Sequence, residues 1–308
     1  MEQREKDIQR MNELRQILTE SNRRYYVDNA PTLSDFEYDN LMYELIELEK
    51  KYPELVTPDS PTQHVGSDRT KEFAQYRHRY PMLSLGNTYD ISEVVAFSER
   101  VSKSLGSTAF SYSCELKFDG TAICLTYKNG ELFRALTRGD GTVGDDVTAN
   151  VRHISNIPQK LHGGTFPEEF EIRGEIYMPY AAFDRLNAER ERDEDAPFAN
   201  PRNAASGSLK LLNPSEVGKR GLECTLYHIL GENLPFATHS EALSVAKSWG
   251  LPVSDKSKVC HNIEEIEDYI SYWDTERRKL PFATDGIVIK INELQIQTEL
   301  GYTAKFPR

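Results

Sequence analysis

Lys117 stands in the run Glu115-Leu116-Lys117-Phe118-Asp119-Gly120, where a strand-like stretch breaks at a glycine. A lysine amine is a nucleophile only without its extra proton, and in water just about 0.1% of such amines are neutral near pH 7.4. Covalent chemistry at this position therefore requires surroundings that disfavour the ammonium form, through burial or neighbouring cations. The two-residue period of a strand puts Glu115 on the same face as Lys117. Charged residues interrupt apolar runs at three further places: Arg173-Gly174-Glu175, Asp285-Gly286 with Val288 and Lys290, and the glycine-flanked turn Thr137-Arg138-Gly139-Asp140-Gly141. Each alone fits a charged strand end facing water. Together they would line one sheet-edged pocket with cations for phosphate and carboxylates for ribose hydroxyls or a metal.

The elements that must position these groups can be read from periodicity. Phe110 to Leu116, Ala122 to Tyr127, Glu131 to Arg138, Glu171 to Met178, Thr225 to Leu230 and Ile287 to Ile291 read as strands, with Lys128-Asn129-Gly130 as a hairpin turn. Helical periodicity covers Tyr180 to Arg192, Ser240 to Trp249, Ile263 to Arg277 and Glu293 to Leu300. Strands and helices do not alternate regularly, so the expected class is α+β with largely antiparallel sheets.

The front of the chain is different. Ile8, Met11, Leu14, Leu18 and Tyr25 form a helical stripe that stops at Asp28-Asn29-Ala30-Pro31. Ser34-Asp35-Phe36-Glu37 then fits a capping box, with Leu33 and Tyr38 placed for a hydrophobic staple, and Tyr38, Leu41, Leu45 and Leu48 as the buried face of a second helix. Taking Asp35 as the helix start puts Asp35, Tyr38 and Asp39 along one edge, which also suits an ordinary polar face. The turn-rich stretch after Thr57 predicts a boundary between Pro58 and Asp68, giving domains 1–66 and 67–308.

With 308 residues and 38% apolar content the chain can build real cores. No run approaches a membrane span, and the start Met1-Glu2-Gln3-Arg4-Glu5-Lys6 lacks the apolar stretch of a signal peptide. The formal charge is −12. That excludes a chain that coats nucleic acid through bulk positive charge. Residues 1–60 carry 14 acids and 8 bases, net −6, so half of the acidity lies in the front fifth. Cys114, Cys124, Cys224 and Cys260 lack metal-site spacing and read as buried, reduced thiols of a cytoplasmic protein.

The motifs together resemble the N-terminal adenylation fragment of the bacterial NAD-dependent DNA ligases. Lys117-x-Asp119-Gly120 is similar to the signature of covalent nucleotidyltransferases, and Arg173-Gly174-Glu175 and Asp285-Gly286-x-Val288-x-Lys290 match later motifs in order. Asp140-Gly141-Thr142-x-Gly144-Asp145-Asp146, Phe198 to Ala205, Pro81 to Leu85 and the front Tyr25, Asp35, Tyr38 and Asp39 are specific to the NAD-dependent branch. The resemblance implies a helical NMN-recognition subdomain followed by a DNA-ligase-type (ATP-grasp-like) nucleotidyltransferase domain.

It further implies that Lys117 attacks the adenylyl phosphorus of NAD and releases nicotinamide mononucleotide, the activity class EC 6.5.1.2. Burial beside Lys290 and Arg138 is expected to favour the neutral amine. Asp119 would position groups or touch a metal, Glu115 would sit at the adenine edge, Glu175 at ribose hydroxyls, and Arg138 and Lys290 at the phosphates. Ser84 and Leu85 fall in a nucleotide-contacting loop. Tyr25, Tyr26, Asp35, Tyr38 and Asp39 would clasp the leaving group. Mg2+ is expected on phosphate oxygens, with no dedicated metal-ligand cluster. Arg202, Lys210 and Arg277 would touch the phosphates of nicked double-stranded DNA in a monomeric enzyme of DNA replication and repair.

Two departures from the family pattern stand out. Tyr26 occupies a position where the family often has His. Lys305, although followed by Phe306-Pro307, comes too early to be the family's last adenylation lysine, and the tryptophan-containing segment that carries that lysine is missing. The chain is therefore expected to be a C-terminally truncated fragment that does not seal nicks unaided. The alternatives are an ATP-dependent nucleotidyltransferase and a nucleotide-binding module without catalysis.

Overall fold

A computed structural model describes residues 2–28, 30–63, 66–303 and 305–308. In chain order the helices are α1 (Glu2–Tyr26), α2 (Asp35–Lys51), α3 (Ile91–Leu105), α4 (Thr148–Val151), α5 (Tyr180–Arg192), α6 (Pro201–Leu209), α7 (Pro214–Val217), α8 (His239–Ser248), α9 (Ile263–Glu276) and α10 (Leu294–Leu300). The strands are β1 (Gln75–Arg77), β2 (Tyr112–Phe118), β3 (Thr121–Lys128), β4 (Glu131–Thr137), β5 (Val143–Asp145), β6 (Glu169–Tyr177), β7 (Glu223–Leu230), β8 (Lys258–Cys260) and β9 (Thr284–Ile291). These fall into two compact units, one formed by residues 1–87, 138–145 and 302–308, the other by residues 88–137 and 146–301.

The first unit is built on the α1–α2 pair. Met11, Leu14, Leu18, Met42 and Leu45 form its buried core, with Tyr38, Leu41 and Leu48 packed against it. The expected stripe on each helix therefore meets the other. Charge closes the seam: Arg15 donates to Glu49 at 2.8 Å, and Glu49, 5% exposed, also accepts from Ser60 at 2.6 Å. Ser34 caps α2, its hydroxyl accepting from the Glu37 amide at 3.2 Å while the Glu37 carboxylate accepts from the Ser34 amide at 2.8 Å. Asn29, in the stop that ends the first helix, and His64 and Val65, in the expected boundary, lie outside the described residues. The short β1–β5 pair completes this unit.

The second unit holds two antiparallel sheets, ordered β8-β2-β9 and β4-β3-β6-β7. Along β2, Tyr112 and Cys114 face a core shared with Val94 and Val101 of α3, Ile266 and Tyr269 of α9 and Leu300 of α10. The intervening residues Ser113, Glu115 and Lys117 take the opposite face, opposite Lys290, Val288 and Gly286 of β9. In the larger sheet, Ile123, Leu125 and Ile172 are completely buried. The β3–β4 hairpin turns at Asn129 and Gly130, both with positive φ (50° and 76°), as a tight two-residue turn requires.

The α+β architecture follows the sequence expectation, including α5 at its expected bounds. Residues 91–105 and 201–209 carry helices to which the sequence reading assigned no element. The four cysteines are buried free thiols. No helix among the described residues is long and apolar enough to cross a membrane. Replacing Ser34 by Ala removes the α2 cap and is expected to cost the first unit about 1 kcal/mol, read as a lower urea midpoint for loss of helical circular dichroism.

Candidate active site

The β2–β9 register decides where the charged groups of the second unit go. Lys117 lies at the end of β2, where a bulge separates it from Phe118. Gly120 follows because a Cβ there would come 2.1 Å from the Ile176 carbonyl oxygen of β6. The Lys117 side chain is 40% exposed, and its ammonium pairs with Asp285 at 2.7 Å. Asp119 accepts from Arg202 at 3.4 Å. Burial raises the Asp119 carboxyl above its ordinary range and the charge of Asp285 adds to this, against the pull of Arg202.

Glu115 is 6% exposed and has three hydrogen-bond donors around it. One oxygen accepts from His239 Nε2 at 2.6 Å and from the Ser113 hydroxyl at 3.0 Å; the other accepts from Lys290 Nζ at 2.8 Å. Burial by itself would raise this carboxyl, yet the charge of Lys290 and the His239 hydrogen bond outweigh it and hold the group at about 2. Burial and the nearby Lys290 charge lower the His239 ring below its ordinary value, against the pull of Glu115. Lys290 also donates to the Tyr227 carbonyl oxygen at 3.1 Å, and the Tyr227 hydroxyl approaches Glu175 at 3.4 Å.

One sequence expectation needs correction. Lys290 is not the cation beside Lys117: its ammonium is bound to Glu115, and Lys117 has a carboxylate partner instead. The register explains this, because Lys290 sits opposite Ser113, four residues and roughly 13 Å along the strand from Lys117.

The first unit gathers its own set. Tyr25 and Tyr26 meet edge to face at 4.8 Å, and the Arg138 guanidinium lies 4.4 Å over the Tyr26 ring. Arg138 also donates to the Gly66 carbonyl at 3.2 Å, and the turn after it is fixed by Asp140, whose carboxylate accepts from the amides of Thr142 and Val143 at 2.9 and 2.8 Å. The Tyr38 hydroxyl donates to Asn22 at 2.9 Å, and burial pushes that phenol up. Asp39 accepts from Asn87 at 2.6 Å, whereas Asp35 is exposed at the start of α2. The Ser84 amide donates to the Lys305 carbonyl at 3.1 Å, and Leu85 is exposed. Lys305 is buried; desolvation lowers its amine to about 8, the charge of Asp39 opposing and that of Arg138 adding. Ala304, in the segment approaching the family's last motif, lies outside the described residues.

The family described as NAD-dependent DNA ligase adenylation domain matches residues 70–308, and that described as DNA ligase-like, N-terminal NAD+-binding domain matches residues 4–66. The chain belongs to the NAD-dependent DNA ligase family. It is similar to the DNA ligase of Parabacteroides distasonis (56% identical over 96% of this chain and 44% of that protein) and that of Cytophaga hutchinsonii (53% over 98% and 45%). The chain thus spans less than half the length of these relatives. Among solved structures, the ATP-dependent DNA ligase from bacteriophage T7 in complex with ATP aligns with 69% of this chain and 64% of that chain at 16% identity and a TM-score of 0.37, too distant to bear on ligand or mechanism.

Within this chain of the ligase family, the residues expected at DNA phosphates are spread out. Arg202 lies in the first turn of α6, Lys210 at its C-terminal cap, and Arg277 is exposed at the end of α9 with a 3.3 Å bond to the Thr284 carbonyl. His239 and Asp285 were not singled out as site residues from the sequence. Asp285 was visible within its motif. His239, inside Thr238-His239-Ser240, reads only as the start of a helix, and α8 does begin there with Thr238 as its cap.

The Glu115 cluster has a pH signature. A carboxyl held below its ordinary 4.5 contributes stability that is complete above that value and is lost as pH falls toward about 2. Glu115→Gln is expected to cost about 3–5 kcal/mol at pH 7, by leaving the Lys290 charge without its partner. The same change should flatten the loss of stability between pH 4.5 and 2, measured by urea unfolding at several pH values.

Proposed function

We propose that this chain performs the adenylation step of an NAD-dependent DNA ligase. The Lys117 amine attacks the adenylyl phosphorus of NAD, a phosphorus–nitrogen bond forms, and the bond to nicotinamide mononucleotide breaks with its electron pair leaving on that fragment. AMP stays on Lys117 as a phosphoramide. Transfer of AMP to the 5′-phosphate of a nick, sealing by the 3′-hydroxyl, and a role in DNA replication and repair belong to the longer enzyme. The observation that carries this reading is the single face of β2 and β9 bearing Lys117, the ionised Glu115 and Lys290, within a chain whose two family matches cover nearly all of it.

The roles are those the family resemblance implies. Glu115 reads the adenine edge and Glu175 the ribose hydroxyls. Lys290 spends two of its three N–H bonds on Glu115 and the Tyr227 carbonyl, which leaves one for a ligand phosphate or base. Before attack, the Lys117 ammonium has to release both a proton and Asp285. Arg138, Tyr25, Tyr26, Tyr38, Asp35 and Asp39 serve the nicotinamide mononucleotide half, where the Arg138 guanidinium over Tyr26 offers a cation to a phosphate. Ser84 and Leu85 serve the nucleotide. The reading keeps the expected division 1–66 and 67–308, with Arg138 contributing to the first task from the later segment, and takes the enzyme as a cytoplasmic monomer.

Asp119 and Asp285 are near enough for their charges to interact, and each faces a cation, Arg202 and Lys117 respectively. Two carboxylates of this kind would serve Mg2+, which keeps waters and takes few protein ligands when phosphates are present. Bound there, Mg2+ would neutralise charge on phosphate oxygens. Arg202, Lys210 and Arg277 remain the proposed DNA contacts.

Incubation of the chain with NAD and Mg2+ tests the reading. Intact mass spectrometry is expected to show a gain of one AMP that disappears in Lys117→Ala, with chelator, and when ATP replaces NAD. An adduct from ATP would instead assign the chain to the ATP-using branch. Binding of NAD without any adduct would leave a nucleotide-binding module.

A further inference from the structure

His239 belongs to no motif that the proposed function uses, yet it makes the shortest contact of the buried carboxylate, 2.6 Å from Nε2 to Glu115, with 1% of its surface exposed. Glu115 is ionised and can only accept, so Nε2 must carry the proton and donate. The 3.4 Å approach of Lys290 Nζ to the same nitrogen is then no hydrogen bond, since both atoms are donors. The main chain that carries the imidazole is anchored at the end of β9: the His239 amide donates to the Asn292 carbonyl at 2.7 Å, and Thr238 caps α8 immediately before it. The other groups facing the cluster are Ser113, Tyr227, whose carbonyl holds Lys290, and the His228 ring, 6.1 Å from that of His239.

Two donors, His239 and Ser113, thus occupy one Glu115 oxygen and fix the carboxylate plane. The second oxygen carries Lys290 and keeps one lone pair. Without His239 the carboxylate could turn both oxygens onto the Lys290 ammonium, its strongest partner. An acceptor-only group fixed in this way pairs with an amino group and repels a carbonyl oxygen.

We propose that His239 is a positioning residue that orients Glu115 so that the site takes a purine bearing an exocyclic amine and rejects its oxo counterpart. This rests on the reading of Glu115 as the adenine-edge contact. His239 itself touches no ligand.

The test is calorimetric binding of two probes, NAD and nicotinamide hypoxanthine dinucleotide, which differ at C6, amine against oxo, and at the adjoining N1, an acceptor in adenine and an N–H donor in hypoxanthine. The chain as it stands is compared with His239→Leu, His239→Asn, His239→Gln and Glu115→Gln. The unsubstituted chain is expected to prefer NAD by at least about tenfold, corresponding to 1.4 kcal/mol. Leu removes the donor and Asn withdraws it toward the Nδ1 position; both should bring the ratio close to one, through weaker NAD binding. Gln, whose amide nitrogen reaches farther, should restore most of the preference. If His239→Leu does not fold, the contrast between Asn and Gln decides alone.

Retention of the full preference in His239→Leu or His239→Asn, while Glu115→Gln loses or inverts it, would overturn the His239 role and leave Glu115 at the base. An unchanged preference in Glu115→Gln, or none in the unsubstituted chain, would overturn the Glu115 reading and the inference with it.

Discussion

Antiparallel pairing of β2 with β9 is the constraint on which the second unit depends. Opposite residues in such a pair share a face, so one choice of register sends Ser113, Glu115 and Lys117 to the same side as Lys290 and sends Tyr112 and Cys114 into the core under α3, α9 and α10. A slip of one residue would bury Lys117 and expose the core. Packing energy thereby fixes the position of charged groups that contribute no packing of their own. The apolar side of the strand acts as the locating surface for the polar side.

The electrostatics differ sharply along that one face. At Lys117 the pair with Asp285 is partly solvated, so it exchanges easily with water or ligand. At Glu115 the pair with Lys290 is largely buried, and separation leaves a poorly solvated charge. The same strand therefore offers a mobile amine at its end and a rigid carboxylate two residues earlier. On the proposed reading, the group that breaks and remakes bonds sits beside one that keeps a fixed direction.

Much of this was legible in the sequence, and the remainder was hidden for physical reasons. Local signals carried the capping box of α2, the Asn129-Gly130 turn and the alternation of β2, because short-range geometry produces them. The motif residues Lys117, Asp119, Glu175 and Lys290 could be named, but not who pairs with whom. Lys290 was expected at phosphates and beside Lys117. Only the register, a long-range property, places it at Glu115. His239 left no trace because a histidine one residue past a Thr cap looks like any helix start. The α3 helix was missed although its amphipathic residues and Asp90 cap are present in the sequence, whereas α6 is short, glycine-containing and held by its Asn200 cap.

The first unit is assembled from three separate stretches of chain, 1–87, 138–145 and 302–308. The guanidinium that stacks on Tyr26 arrives on the second stretch and the buried amine of Lys305 on the third. The front helices are thus not a transplantable cassette. Fused to a foreign catalytic unit, residues 1–66 would bring their tyrosines and carboxylates but neither of these cations, so any preference for a dinucleotide donor would have to be inherited from loops scattered along the whole chain.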